Sequence, residues 1–186
     1  VTVFEDSPTM YQDVILGNSA ACVEDTPIMA CSIKEGSLEL EIPEGIRPTT
    51  EKVREAVFSM VREWIPDPVV VDLFAGSGSL GLEALSRGAA KCYFNEGDRR
   101  NFRVLMNNVN NCKAGDKAVC TNSDFRQCLG RINEKVDVIF MDPPYRDGYY
   151  EEAFELVEEY ELMEEGSIII AEHLYDNPLP ETMGRF

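Results

Sequence analysis

The chain has 186 residues, of which 44% are hydrophobic, and carries a formal net charge of −17. That length suits one domain with a full core and a small extension, and no apolar run reaches the length of a membrane span. The six cysteines, at 22, 31, 92, 112, 120 and 128, form no CxxC pair, and His173 is the single histidine, so zinc and thiol catalysis find little support and no metal is expected. Reduced cysteines in a cytoplasmic protein are the plain expectation. The first ten residues carry acid and no base, so no signal peptide is expected.

The charge is segregated. Residues 1–46 hold nine acids and one base, and residues 147–186 hold twelve acids and one base, whereas residues 47–146 hold thirteen acids and fifteen bases. The flanks repel polyanions, while the centre could still present a basic face.

In chain order, residues 1–29 offer two strand-like scraps, 1–4 and 13–16, split by Ser7-Pro8. Residues 30–33 and 37–42 read as a hairpin around Glu35-Gly36, with Leu38, Leu40 and Ile42 alternating with Glu39 and Glu41. Arg47-Pro48-Thr49-Thr50 then opens an amphipathic helix, capped by threonine, that runs to about Trp64 and is stopped by Pro66 and Pro68. From Val69 the pattern is regular: strand 69–73, helix 79–87, strand 91–95, helix 99–111, strand 117–121, helix 125–132, strand 136–141, helix 149–160, strand 167–172. Strands alternating with helices predict an α/β fold, a mostly parallel sheet covered on both faces. The expected division is an extension with a hairpin over residues 1–46 and a domain over residues 47–186.

The stretch 69–85, VVVDLFAGSGSLGLEAL, reads as a buried strand, a glycine turn and a helix start. Gly76, Gly78 and Gly81 satisfy GxGxxG, and Glu96 follows 20 residues after Gly76, as in a dinucleotide site. The turn would bring a ligand against bare backbone at a helix N-terminus. A tight turn with no ligand is the bland alternative. The second motif is Asp142-Pro143-Pro144-Tyr145, directly after the strand VDVIFM. Ligands in open α/β sheets bind at the carboxyl ends of strands, so this loop should share a crevice with the glycine turn. Asp142 and the carbonyl of Pro143 can each accept a hydrogen bond from an exocyclic amine, and Tyr145 can stack on a base. A proline turn with an incidental acid is the alternative reading.

Together RPTTEKVREAVFSMV, VVVDLFAGSGSLGLEALSRGA and DVIFMDPPY resemble the bacterial family that methylates a guanine amine of small-subunit 16S ribosomal RNA, the RsmD type, over roughly residues 30–185. The resemblance implies a class I, Rossmann-like methyltransferase fold that uses S-adenosyl-L-methionine. It implies that Asp72 and the backbone of Phe74, Ala75, Gly76, Ser77 and Gly78 surround the amino-acid end of the cofactor, that Glu96 binds the ribose, and that Asp124 and Phe125 lie at the adenine. It implies that Asp142, Pro143, Pro144 and Tyr145 hold the target base, and that Arg47 and Thr49 lie near the cofactor or RNA entrance; the charge segregation adds Arg146, beside the Asp142 loop, as a candidate RNA contact. Glu96 as a solvated strand end, Asp124 as a helix cap and Arg47 as a surface arginine are the bland alternatives. Arg99, Arg100 and Arg103 open one helix against its dipole and hint at a phosphate-facing patch, a solvated face being the other reading.

Two stretches depart from the family pattern. The matching hairpin, 32–41, has one lysine, and the chain has too few residues after Glu172 for the usual closing hairpin, so the scraps 1–4 and 13–16 are expected to cover that sheet edge. The expected partner is ribosomal RNA or the small-subunit particle, with no membrane and a monomer favoured. An NAD-dependent oxidoreductase, a methyltransferase for a small molecule or protein, and a non-catalytic relative are the rivals.

Overall fold

The computed structural model describes Phe58, residues 67–143 and residues 148–172. The elements are β1 (Val69–Asp72), α1 (Ser79–Ser86), β2 (Lys91–Asn95), α2 (Arg99–Asn111), β3 (Ala118–Thr121), α3 (Phe125–Leu129), β4 (Val138–Met141), α4 (Tyr149–Glu159) and β5 (Ile168–Ala171). The expected N-terminal hairpin, the edge-covering strands and the domain boundary at 46 lie outside the described residues, as does the helix from Thr50 to Trp64 apart from Phe58, which is helical.

All five strands are parallel, in the order β3-β2-β1-β4-β5. The central register sets Asp72 of β1 beside Phe94 of β2 and Phe140 of β4. Both faces of the sheet are covered, which is why β4 reads VIFM with every residue buried, a continuous apolar run rather than an alternation. On one face Leu82 and Ala84 of α1 and Leu105 and Val109 of α2 pack on Val70, Cys92, Phe94, Val138 and Phe140. Phe58 joins this layer, its ring 5.5 Å from that of Phe140. On the other face Phe125, Cys128 and Leu129 of α3 and Ala153, Phe154 and Val157 of α4 pack on Val71, Leu73, Ile139, Met141 and Ile169.

Two helix starts are fixed by acids. Asp98 caps α2 by accepting from the Arg100 and Asn101 amides, and Asp124 caps α3 by accepting from the Arg126 amide. α3 ends at Leu129, earlier than the expected 132, with Gly130 as its C-cap. β4 starts at Val138 rather than 136, because the Val136 amide is donated to the Leu162 carbonyl after α4, outside the strand ladder.

Candidate functional site

The strand order reverses at β1, so β2 and β4 leave it on opposite sides and a crevice opens beyond their carboxyl ends. Asp72 ends β1 there, 3% exposed. Its Oδ2 accepts the amide of Gly81 at 2.9 Å, in the first turn of α1. Burial raises its pKa to about 7; the Gly81 hydrogen bond opposes that rise and the nearby Glu96 charge adds to it. Glu96 follows β2. Its Oε2 accepts the Gly76 amide at 2.8 Å and its Oε1 accepts the Asp98 amide at 2.6 Å. Burial pushes its carboxyl upward, against the pull of these two amides. Glu96 is thus no freely solvated strand end: it ties the glycine turn to the start of α2.

The glycines have reasons specific to the fold. Gly76 and Gly78 sit at φ 54° and 83°, the left-handed region that L side chains avoid. A Cβ on Gly81 would lie 2.2 Å from Phe94 Cε1 and 2.7 Å from Cys92 Sγ, so Gly81 is bare because α1 lies hard against β2, and not to admit a ligand. The backbone at the turn is less bare than its glycines suggest, because their amides are taken within the chain. The Gly76 amide goes to Glu96, that of Gly78 to the Ala75 carbonyl at 2.6 Å, and that of Gly81 to Asp72. The turn therefore presents carboxylates where a dinucleotide's pyrophosphate would need N–H donors. A ligand carrying positive charge and hydroxyl donors fits this set, since each carboxylate oxygen keeps acceptor capacity after taking one amide.

Two buried asparagines that the motif reading passed over hold the turn in place. Asn95, 2% exposed, donates from Nδ2 to the Leu73 carbonyl at 3.2 Å; its Oδ1 accepts from Thr121 Oγ1 at 3.2 Å and Ser123 Oγ at 3.0 Å. Its own carbonyl accepts the Ala75 amide at 2.8 Å. Asn108, fully buried, donates to the Ser77 carbonyl at 2.9 Å. The available signal was an amide among apolar neighbours: Asn95 ends KCYFN, and Asn108 falls between Leu105 and Val109 on the packed face of α2.

At the adenine end of the predicted site, Asp124 is the α3 cap, and its Oδ2 pairs with Arg126 Nη1 at 2.8 Å. Phe125 is 3% exposed, its ring 5.4 Å from those of both Phe74 and Tyr149. Phe74 and Tyr149 are nearly parallel, at 11° and 6.1 Å. The Arg126 guanidinium lies 4.5 Å from the centre of the Phe125 ring and forms a two-pronged ion pair with Glu152 of α4. Phe125 is thus part of the packed layer beneath the crevice. Asp142 follows β4, half-buried, and Pro143 is buried. Pro144, Tyr145, Arg146, Arg47 and Thr49 lie outside the described residues. Among the described residues no group of three or more His, Cys, Asp or Glu side chains is placed to hold a metal, and no helix is long and apolar enough to cross a membrane.

A five-stranded parallel sheet in this order, with acids after β1, β2, β3 and β4 around a glycine turn, is the class I, Rossmann-like methyltransferase fold. A solved structure of a hypothetical protein from Thermus thermophilus shares it with a TM-score of 0.66 at 29% identity, over 76% of this chain and 83% of that one. The chain matches the family described as "Conserved hypothetical protein 95" over residues 26–186, and it belongs to that family, the RsmD-type methyltransferases. It is 39% identical to Ribosomal RNA small subunit methyltransferase D of Escherichia coli K12, over 76% of this chain and 72% of that protein. It is 35% identical to the Haemophilus influenzae protein of the same name, over 73% and 72%.

Proposed function

We propose that this methyltransferase uses S-adenosyl-L-methionine to methylate the exocyclic amine of a guanine in small-subunit ribosomal RNA. The observation that carries the cofactor is the commitment of the turn's glycine amides to Asp72 and Glu96 and within the turn itself, which leaves an electronegative pocket. Such a pocket suits a cation with ribose hydroxyls and disfavours the anionic pyrophosphate of NAD. The relatives' names support the nucleic-acid substrate.

On this reading Asp72 and the backbone of Phe74 to Gly78 hold the cationic amino-acid end, and Glu96 accepts the ribose hydroxyls. The adenine lies beside Asp124, over the aromatic layer of Phe74, Phe125 and Tyr149. When bound, the cofactor supplies an electrophilic methyl on sulfur. Asp142 and the Pro143 carbonyl accept the two N–H groups of the target amine, which fixes the direction of the nitrogen lone pair and offsets the positive charge that grows on it. Tyr145 stacks on the base, and Arg47, Thr49 and Arg146 guide the RNA.

Methyl transfer from labelled S-adenosyl-L-methionine tests this, with deproteinised small-subunit RNA and partly assembled particles offered in parallel. Label on a guanine N2 is the expected result. Calorimetric binding of NAD with no response to S-adenosyl-L-methionine would overturn it, and label on protein or a small amine would move the reading to that substrate.

A further inference from the structure

The two helical layers that cover the sheet carry opposite charge. α2, RRNFRVLMNNVNN, has three arginines, five asparagines and no acid, in a chain whose net charge is −17. Its buried residues are Leu105, Asn108 and Val109. At 100° per residue Arg99, Asn110, Arg103, Asn107 and Arg100 form one stripe opposite them, and all five are exposed. The Arg100 side chain is 89% exposed. α1, on the same layer, adds little net charge, because Glu83 and Arg87 pair with each other at 2.7 Å. On the opposite layer α4, YYEEAFELVEE, has five glutamates and no base.

Both helices start at the carboxyl edge of the sheet and run away from it, so what differs is the charge each presents there. The basic end of α2 is its start, at the carboxyl edge of the sheet: Asp98, its cap, donates its amide to Glu96 in the candidate cofactor site. α4 also starts at that edge, where Tyr150 OH donates to the Glu172 carbonyl at the end of β5. After α4, the Leu162 carbonyl accepts the Val136 amide at the entry to β4. Glu158 and Glu159 therefore lie toward the far edge; Glu152, near the crevice, shares Arg126 with Asp124, and Glu151 keeps one exposed acid at the start of α4, on the α4 side of the crevice. The acidic layer leaves the α2 side of the crevice open to a polyanion.

We infer that the exposed stripe of α2, Arg99, Arg100, Arg103 and Asn107, is the surface on which the ribosomal RNA backbone docks beside the cofactor site. This rests on the proposed RNA reading and adds to it the face of approach. Guanidinium groups pair with phosphates in two-pronged geometry, and asparagine amides serve sugar and base edges. Arginines in a first turn oppose the helix dipole, an effect that Arg100 offsets only in part through its exposed ion pair with the cap Asp98 at 3.7 Å.

The test is the triple variant Arg99→Gln, Arg100→Gln, Arg103→Gln in the full chain, with Glu155→Gln, Glu158→Gln, Glu159→Gln as the opposite-face control. Taking cations from the first turn does not threaten α2, and circular dichroism with calorimetric affinity for S-adenosyl-L-methionine checks that the fold and cofactor site persist; Arg103→Gln alone serves as the milder variant. Neutralising the arginines should weaken RNA binding about tenfold or more at 0.1 M salt and flatten the dependence of log affinity on log salt by about 2. The glutamate control should bind as wild type or tighter. If wild type binds RNA with a salt dependence that the arginine variants reproduce unchanged, the docking surface is overturned while the RNA reading stands. If wild type binds S-adenosyl-L-methionine but no RNA at any salt, the functional reading fails, and the docking surface with it.

Discussion

The substitution Asp72→Asn should stabilise the fold in neutral and alkaline solution while harming the site. Burial raises the Asp72 carboxyl from 3.8 to about 7 in the folded chain. Below pH 3.8 both folded and unfolded chains hold this proton. Between there and about 7 the folded chain holds it and the unfolded chain has lost it, so stability falls as pH rises, by up to about 1.36 kcal/mol per pH unit. Above pH 7 both are ionised, and the accumulated loss is about 4 kcal/mol. An asparagine keeps an oxygen for the Gly81 amide, 2.9 Å away in the native chain, and has no charge to bury. Urea midpoints from pH 5 to pH 8 should therefore show the wild type losing about 2–3 kcal/mol that the variant keeps. Parallel stability curves would refute the buried, high-pKa carboxyl. The same carboxylate should make affinity for a cationic cofactor rise with pH up to about 7 in the wild type and stay flat and weaker in the variant. Equal, pH-independent affinity in both would remove Asp72 from cofactor binding.

Three further outcomes are expected. Gly81→Ala drives a methyl to within 2.2 Å of Phe94 and 2.7 Å of Cys92, so denaturant unfolding should show a loss of about 1–3 kcal/mol, with weaker cofactor binding as α1 is pushed off β2. Glu96→Ala leaves the Gly76 and Asp98 amides without their acceptor and should cost about 1–3 kcal/mol of stability and, by calorimetry, at least tenfold in cofactor affinity. Asp142→Ala should abolish most turnover with nearly unchanged cofactor affinity, and wild-type turnover in this variant would remove the amine-orienting role.

The elements from Val69 onward were legible because burial on both faces forces long apolar runs such as VVV and VIFM, and because helix caps and glycines punctuate them. Lys91–Asn95 and Arg99–Asn111 match their expected bounds. The ends that moved most are at 129, where Gly130 caps α3, and at 138, where the Leu162 carbonyl after α4 takes the Val136 amide from 26 residues away, a pairing that leaves no local trace. The positions of Asp72, Glu96 and Asp142 at strand ends were legible for the same reason as the strands. What they contact was not. The pattern GxGxxG is shared by turns that offer amides to phosphate and by this one, whose glycine amides are all donated within the chain. Only the fold reveals which oxygens receive them. Whether Phe125 faces ligand or core was not legible either, because its surroundings, Phe74 and Tyr149, come from two other segments.

Those contacts make the glycine turn the meeting point of two otherwise separate networks. Phe74 faces the layer of α3 and α4, stacked on Tyr149 and set against Phe125. Its neighbours Leu73 and Ala75 hydrogen-bond to Asn95, which in turn collects Thr121 and Ser123 from the end of β3. Two residues on, the Ser77 carbonyl is held by Asn108 from the layer of α2. A five-residue segment is thus fixed from the aromatic layer, from a buried amide in the sheet and from the opposite helical layer. Each contact fixes a different residue, so the turn that hands the Gly76 amide to Glu96 is held from three sides. The Glu96 charge in turn adds to the rise that burial imposes on the Asp72 carboxyl. The charge of the site is in this way a property of the packing of both layers, which is why four residues distant in sequence, Asn95, Asn108, Phe125 and Tyr149, belong to it as fully as the acids do.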